Sequence, residues 1–128
     1  MMAMQKQFDP LEKLVDDFQR VNMRMRTSKI PLVTAAQGYV FGGGCEIAMH
    51  CDAGIYAAES YIGLPEVGVG LLPAGGGVKE LALRASNKFF EGDVKIPTLL
   101  DHFKTIATAT ISTSAHEAYN LGFLEEGR

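Results

Sequence analysis

The sequence predicts an α/β fold, and two observations carry this prediction. Short apolar segments at residues 32–36 and 53–57 flank a glycine turn and a short helix over residues 45–51. A strand, a helix and a second strand in this order imply a parallel strand pair. Apolar residues also recur at helical spacing ahead of the first strand. With 128 residues, the chain is long enough for a single domain with its own core.

The first predicted element is an amphipathic helix over residues 9–27. Asp9 is a suitable N-cap, Pro10 suits the first helical position, and Glu12 completes a capping-box pattern. The apolar positions of this helix need a partner surface; they are Leu11, Leu14, Val15, Phe18, Val21 and Met25. We therefore assign residues 1–28 to an N-terminal helix and residues 29–128 to the core of the same domain.

The glycine run marks the turn between the first strand and the next helix. Gly38 and Gly42–Gly44 are predicted to form this turn together. A further short strand is predicted at residues 61–63. Residues 65–77 are rich in glycine and proline, which is typical of an irregular loop with a functional or packing role.

The C-terminal part is predicted to be mainly helical. Helices are expected over residues 78–85 and 97–105, separated by a polar loop at residues 86–95 and followed by a short strand at residues 107–111. Ser114 and Glu117 form a second capping-box pattern, and Gly122 suits the end of the helix they begin.

Composition and charge exclude several classes of partner. The net charge is −3, and the lysine and arginine residues are scattered, so we expect neither nucleic acid nor an anionic membrane as a partner. No apolar run reaches the length of a membrane span. Cys45 and Cys51 lie on poorly matched faces of one predicted helix, so no disulfide is expected. Free thiols are typical of a reducing, cytoplasmic setting.

The stretch from Gly42 to Glu66 contains the candidate catalytic groups. Three consecutive glycines free the backbone to present N–H groups at the start of a helix, where the helix dipole favours negative charge. Glu46 follows inside that helix, and Glu66 follows Pro65 in a later turn. A nest of N–H donors and two carboxylates would suit acid–base chemistry at a carbonyl compound.

Each of these features also has a purely structural interpretation. The glycines could form only a tight turn, Glu46 could only complement the helix dipole, and Glu66 could be a solvated turn residue. A dinucleotide fingerprint fits poorly because Ile47 stands where its last glycine is needed, and no Gly-Lys-Ser/Thr sequence exists for a P-loop. Neighbouring residues His50, Cys51 and Asp52 point in different directions, so no metal site is expected.

Taken as ordered blocks, the sequence resembles the crotonase superfamily, and in particular enoyl-CoA hydratase. The blocks are KIPLVTAAQG at residues 29–38, GGGCEIAMHCD at 42–52, AESYIGLPE at 58–66 and GLLPAGGG at 70–77. Residues 114–122 resemble a later helix of the family more loosely. The intervening residues 86–104 are more similar to the hydratase-like part of bacterial 3-hydroxyacyl-CoA dehydrogenases, which are multifunctional β-oxidation proteins.

The resemblance implies a fold, a reaction and roles for particular residues. It implies a spiral of ββα and βαβ turns, present here in part and truncated at both ends. Glu46 and Glu66 correspond to the acid–base pair, and Gly43 to one backbone N–H of the oxyanion hole. Gly42, Gly44 and Pro65 would bind substrate. The implied reaction is hydration of a trans-2-enoyl-CoA to a 3-hydroxyacyl-CoA in β-oxidation.

The resemblance also implies partners and leaves alternatives open. Coenzyme A would enter as part of the substrate, and no separate cofactor, nicotinamide nucleotide or metal is expected. A homo-oligomer, either a trimer or a hexamer, is implied. The alternatives are an enoyl-CoA isomerase of the same fold, or a non-catalytic fragment that acts only in assembly because upstream and C-terminal parts of the family domain are missing.

Overall fold

The computed structural model describes residues 8–94 and 96–125. Five α-helices, four short strands and one 3-10 helix follow one another along this part of the chain. The helices are α1 (Phe8–Arg26), α2 (Gly43–Met49), α3 (Gly77–Asn87), α4 (Ile96–Ala107) and α5 (Ala115–Asn120). The strands are β1 (Val33–Ala36), β2 (Tyr39–Phe41), β3 (Ala53–Tyr56) and β4 (Tyr61–Gly63), and the 3-10 helix is Pro65–Val69.

The strands form two parallel pairs, and in each pair the chain between the two strands includes α2. β1 pairs with β3, with Val33 opposite Ala53, and β2 pairs with β4, with Tyr39 opposite Tyr61. The parallel pairing predicted for residues 32–36 and 53–57 is therefore confirmed, as is the short strand at 61–63. The turn that enters α2 lies at the end of β4, where the Gly42 N–H bonds to the Gly63 carbonyl, and the loop that leaves α2 lies at the start of β1, where the Asp52 N–H bonds to the Leu32 carbonyl.

The structure corrects the prediction at two places between strands and helices. The turn predicted from Gly38 to Gly44 contains an additional strand, β2, whose residue Val40 enters the core. The strand predicted at residues 107–111 is absent, because α4 continues to Ala107 and a tight turn at Ala109, with φ of 51°, follows. Only a single antiparallel bridge joins Ile111 to Gly63.

Other boundaries shift by smaller amounts. The loop predicted at 65–77 begins with the 3-10 helix, α3 begins at Gly77, and α4 begins at Ile96. α1 already includes Phe8, so Asp9 lies in the first helical turn instead of capping it. The N-cap at Ser114 is confirmed, since its side chain accepts a hydrogen bond from the Glu117 N–H, whereas the Glu117 carboxylate accepts from the N–H of Thr113 and not from that of Ser114. Residues 1–7, 95 and 126–128 of the predicted segments 1–28 and 29–128 lie outside the described residues, and the division between those segments stays a prediction.

Helix α1 packs on the glycine-rich loop before α3 through polar residues that lie beside its predicted apolar positions. Gln19 Nε2 donates to the Ala74 carbonyl at 2.6 Å, and Asn22 Nδ2 donates to the Gly75 carbonyl at 2.8 Å. Leu14 and Val21, which the periodicity placed on the apolar face, are instead 57% and 49% exposed. The polar residues Gln19 and Asn22 therefore help to fix the position of this helix, together with the partly buried Phe18.

The core lies between α2, α3, β4 and the C-terminal segment. Its fully buried members include Met49, Ile62, Leu64, Leu81 and Phe123. Cys45 and Cys51 are both buried and unpaired, as the sequence predicted. Burial of this kind is the main source of stability in a domain of this size, because each large apolar side chain contributes about 1.5–3 kcal/mol.

A buried arginine links three parts of this core. Arg84 of α3 is 4% exposed and donates from Nη2 to the Met49 carbonyl at 2.9 Å. Its Nη1 donates to the carbonyls of Gly122 and Phe123 at 3.0 and 2.9 Å. One side chain thus holds the C-terminal ends of α2 and α5 against α3.

We expect Arg84→Met to lower the free energy of unfolding by about 3–5 kcal/mol, because it leaves three buried carbonyls without their donor and removes the positive charge 3.8 Å from the buried Glu80 carboxylate. Urea denaturation measures the change. The matched control is Arg20→Met, which removes an exposed ion pair to Asp16 and should cost no more than about 1 kcal/mol. Equal losses in the two variants would contradict the role given to Arg84.

Candidate active site

The N-terminal end of α2 is built around a glycine that no other residue could replace without strain. Gly42 precedes the helix with φ of 54°, in the region that favours glycine. A Cβ on Gly42 would lie 3.0 Å from Glu66 Oε1, so the missing side chain also makes room for that carboxylate. The Gly42 N–H donates to the Gly63 carbonyl at 3.0 Å, which ties the turn to the end of β4.

Gly43 and Gly44 are the first two residues of α2. The N–H of the first helical residue has no acceptor within its own helix, so the Gly43 N–H is available to an outside acceptor. Outside its own helix and chain neighbours, no atom lies within 4 Å of the position that a Cβ on Gly44 would occupy. The helix therefore begins with a backbone donor at Gly43 and with free space beside Gly44.

Glu46 is 2% exposed, and its carboxylate is held by the loop before α3. Its Oε1 accepts a hydrogen bond from the Gly77 N–H at 2.9 Å. Two glycines of the loop make room for it: a Cβ on Gly77 would come within 3.1 Å of Oε1, and a Cβ on Gly75 would overlap Oε2 and the ring of Phe18. The carboxylate is therefore fixed by a backbone donor and by the absence of side chains around it.

Glu66 reaches the same site from the opposite side. It follows Pro65 at the start of the 3-10 helix, directly after β4, and is partly buried. Its Oε2 is buried and has no hydrogen-bond partner among the described residues. Burial raises the pKa of Glu66 above its ordinary value, and the negative charge of Glu46 acts in the same direction, against a hydrogen bond from its own backbone. The charge of Glu46 thus acts on the Glu66 carboxyl.

Phe18 and the Gly75–Gly77 loop belong to the site although the sequence analysis did not assign them to it. The ring of Phe18 lies 3.3 Å from the position of a Cβ on Gly43 and also packs against Gly75. The three consecutive glycines at 75–77 were visible in the sequence, but nothing there indicated which carboxylate they would receive. For Phe18, helical periodicity indicated only a buried face.

The fold therefore brings Gly42, Gly43, Glu46 and Glu66 together, as the sequence predicted, and Gly44 and Pro65 lie beside them. Such a site offers two carboxyls for proton transfer and a backbone N–H that can stabilise a negative oxygen. In the part of the chain that the structure describes, no cluster of three or more His, Cys, Asp or Glu side chains is arranged for a metal ion. None of the described helices is long and apolar enough to cross a bilayer.

Comparison with known proteins decides the family. A family profile described as enoyl-CoA hydratase/isomerase matches residues 2–92, which is more than half of the chain. The chain belongs to the enoyl-CoA hydratase/isomerase family. The resemblance predicted from the sequence blocks is thereby confirmed, and so is the crotonase-type fold.

Relatives of this family member include multifunctional and simple enzymes. It is 37% identical over 119 residues to a probable 3-hydroxyacyl-CoA dehydrogenase of Bacillus subtilis, covering 93% of the chain and 15% of that relative. It is 41% identical over 63 residues to a short-chain-enoyl-CoA hydratase of Clostridium acetobutylicum, covering 49% of the chain and 24% of the relative. The chain thus spans less than a quarter of either relative's length.

A solved structure shows the same relation in three dimensions. The crystal structure of enoyl-CoA hydratase from Thermoplasma volcanium superposes with a TM-score of 0.71 at 25% identity. The match covers 98% of this chain and 46% of that hydratase. The family member described here therefore corresponds to less than half of one complete hydratase chain.

The raised pKa of Glu66 predicts a pH-dependent effect on stability. The folded chain holds this proton more tightly than the unfolded chain, so its contribution to stability is present below the ordinary value of 4.5 and is lost as pH rises through the folded pKa. Glu66→Gln removes the ionisation. We expect its free energy of unfolding, relative to that of the unmodified chain, to rise between pH 4.5 and pH 7 in urea titrations.

The matched control is Glu59→Gln, which changes a carboxyl on the exposed surface. The Glu66 effect is the difference between the two variants at each pH. A difference that stays constant across the series would show that Glu66 ionises equally easily in the folded and unfolded chains.

Proposed function

We propose that the chain provides the acid–base centre for hydration of a trans-2-enoyl-CoA to a 3-hydroxyacyl-CoA. The proposal is carried by one observation, the convergence of Glu46 and Glu66 at the glycine turn that begins α2. Membership of the enoyl-CoA hydratase/isomerase family supports an acyl-CoA thioester as the substrate. The coenzyme A moiety enters as part of that substrate, and the proposed reaction needs no separate cofactor.

In the proposed mechanism the Gly43 N–H donates a hydrogen bond to the thioester oxygen. Negative charge develops on that oxygen when water attacks the β-carbon, and a fixed backbone donor stabilises this charge without reorganisation. One of the two carboxyls removes a proton from the attacking water, and the other delivers a proton to the α-carbon. One water molecule is consumed, its oxygen bonds to the β-carbon, and the protons balance.

The two carboxyl groups lie in different environments, which supports different roles for them as acid and base. Glu46 is held by the Gly77 N–H, whereas Glu66 has a buried oxygen without a partner among the described residues and a raised pKa. The acid and base roles are therefore assigned to the two carboxyls together until the glutamine variants separate them. Two carboxyls at one site favour hydration over isomerisation, for which a single one suffices.

The test is hydration of crotonyl-CoA, followed as loss of the enoyl-thioester absorbance. We expect Glu46→Gln and Glu66→Gln each to lower kcat by about 10²–10⁴-fold, because each removes one general acid or base. Glu59→Gln, on the exposed surface, should leave the rate unchanged.

Product analysis separates the alternatives. Formation of a 3-hydroxyacyl thioester supports the hydratase proposal, and a shifted double bond would replace it with an isomerase. Full activity in both glutamine variants would contradict the proposed acid–base roles of the two carboxyls. Absence of turnover in the unmodified chain would favour the non-catalytic alternative and would leave the family membership intact.

We further propose that the chain assembles as a homo-oligomer, a trimer or a hexamer. An apolar groove of about 440 Å³ lies between α3 and α4, and Leu99, Leu100 and Phe103 on its rim are 47%, 47% and 66% exposed. Apolar surface of this kind is typical of a protein–protein contact. Light scattering tests the proposal, and a monodisperse monomer would contradict it.

A further inference from the structure

His50 is a buried histidine beside the site that the proposed reaction does not use. It follows the last residue of α2 and is 1% exposed. Its Nδ1 lies 2.6 Å from the carbonyl oxygen of Glu46, and its Nε2 lies 3.1 Å from Nζ of Lys79. Both ring nitrogens therefore have partners, and one partner is the backbone of a candidate catalytic residue.

These partners fix the protonation of the ring. A carbonyl oxygen can only accept, so Nδ1 carries the hydrogen, and the Lys79 ammonium can only donate, so Nε2 is the acceptor. Burial lowers the pKa of His50, and the positive charge of Lys79 adds to this, while the hydrogen bond to Glu46 opposes it. The Glu80 carboxylate, 3.8 Å from Nε2, also raises the pKa of His50, whereas the positive charge of Arg26 lowers it, as that of Lys79 does. The ring is neutral in a single tautomer.

The same ring contacts the loop that holds the Glu46 carboxylate. A Cβ on Gly76 would lie 3.1 Å from Cε1 and 3.2 Å from Nε2 of His50, so the ring packs closely on this residue. Gly76 directly precedes Gly77, whose N–H donates to Glu46 Oε1. His50 therefore contacts both sides of that hydrogen bond, the backbone that carries Glu46 and the loop that carries the donor.

The hydrogen bond from His50 Nδ1 also satisfies a carbonyl that the helix leaves free. The His50 N–H donates to Ile47 at 3.1 Å in the tighter pattern of a helix end, and its side chain donates to Glu46. Only Nδ1 is needed to satisfy the Glu46 carbonyl at the end of α2. The rest of the ring contacts Gly76 and Lys79, so the ring also connects α2 to the loop before α3 and to α3 itself.

We propose that His50 is a positioning residue that sets the distance between the Glu46 carboxylate and the Gly77 N–H. This geometric claim stands on the contacts above, and only its effect on turnover rests on the proposed function. Loss of the ring lets the loop and α2 move relative to each other, and a displacement of about 1 Å can lower a catalytic rate by about 100-fold.

The experiment compares His50→Leu, which removes both polar contacts, with His50→Asn, which retains a donor near the position of Nδ1. The exposed His116→Leu is the matched control. The main readout is the amide proton shift of Gly77 by NMR, with Glu46→Gln defining the shift when the carboxylate is lost. We expect His50→Leu to move this resonance towards the Glu46→Gln position, His50→Asn to move it less, and His116→Leu to leave it in place.

In the crotonyl-CoA assay we expect His50→Leu to lower kcat by about 10- to 100-fold with little change in KM. We expect His50→Asn to recover part of this loss. A Gly77 resonance that is unchanged in His50→Leu would overturn the proposal. If the unmodified chain does not hydrate crotonyl-CoA, the proposed function fails, yet the Gly77 resonance still decides the role of His50.

A measurement on the unmodified chain is independent of how the variants fold. Nitrogen-15 shifts of the His50 ring distinguish a protonated Nδ1 from a protonated Nε2. We expect the hydrogen on Nδ1 at pH 7, and finding it on Nε2 would overturn the proposal.

Discussion

The hydrogen bond from the Gly77 N–H to Glu46 Oε1 is the contact on which the rest of the site depends. It fixes a nearly fully buried carboxylate with one backbone donor, and burying such a group without a donor would cost several kcal/mol. The loop can approach because Gly75 and Gly77 have no side chains where the carboxylate lies. Asn22 then fixes the loop from α1 by donating to the Gly75 carbonyl, so a distant helix contributes to the geometry of Glu46.

The order of the elements explains why two glutamates that lie far apart in the sequence meet. α2 connects the two parallel strand pairs, so the turn that begins it lies beside the end of β4, where the Gly42 N–H bonds to the Gly63 carbonyl. Pro65 begins the 3-10 helix just beyond that point and directs Glu66 back to Gly42. Glu66 lies where burial and the charge of Glu46 both favour its protonated form. A raised carboxyl pKa is the direction of shift that a general acid or base needs.

Much of this arrangement could be read from the sequence, because the relevant signals are local. The apolar runs at residues 32–36 and 53–57 and the N-cap at Ser114 each depend on neighbouring residues, and the structure confirms them. β2 was missed because three residues between glycines carry little periodicity, and the strand at residues 107–111 was wrong because α4 continued through Ala107. Phe18 and His50 could not be assigned to the site, since their roles depend on contacts with loops 25 or more residues away.

The central claim is that burial and the charge of Glu46 together raise the pKa of Glu66, and carbon-13 NMR titration of the glutamate side-chain carboxyls tests it most directly. The account predicts that the Glu66 carboxyl titrates above the ordinary value of 4.5 in the unmodified chain. In Glu46→Gln its pKa should fall but remain raised, because burial is the larger cause and the charge of Glu46 the smaller. A Glu66 carboxyl that titrates at its ordinary value, or that does not respond to the loss of the Glu46 charge, would contradict the account.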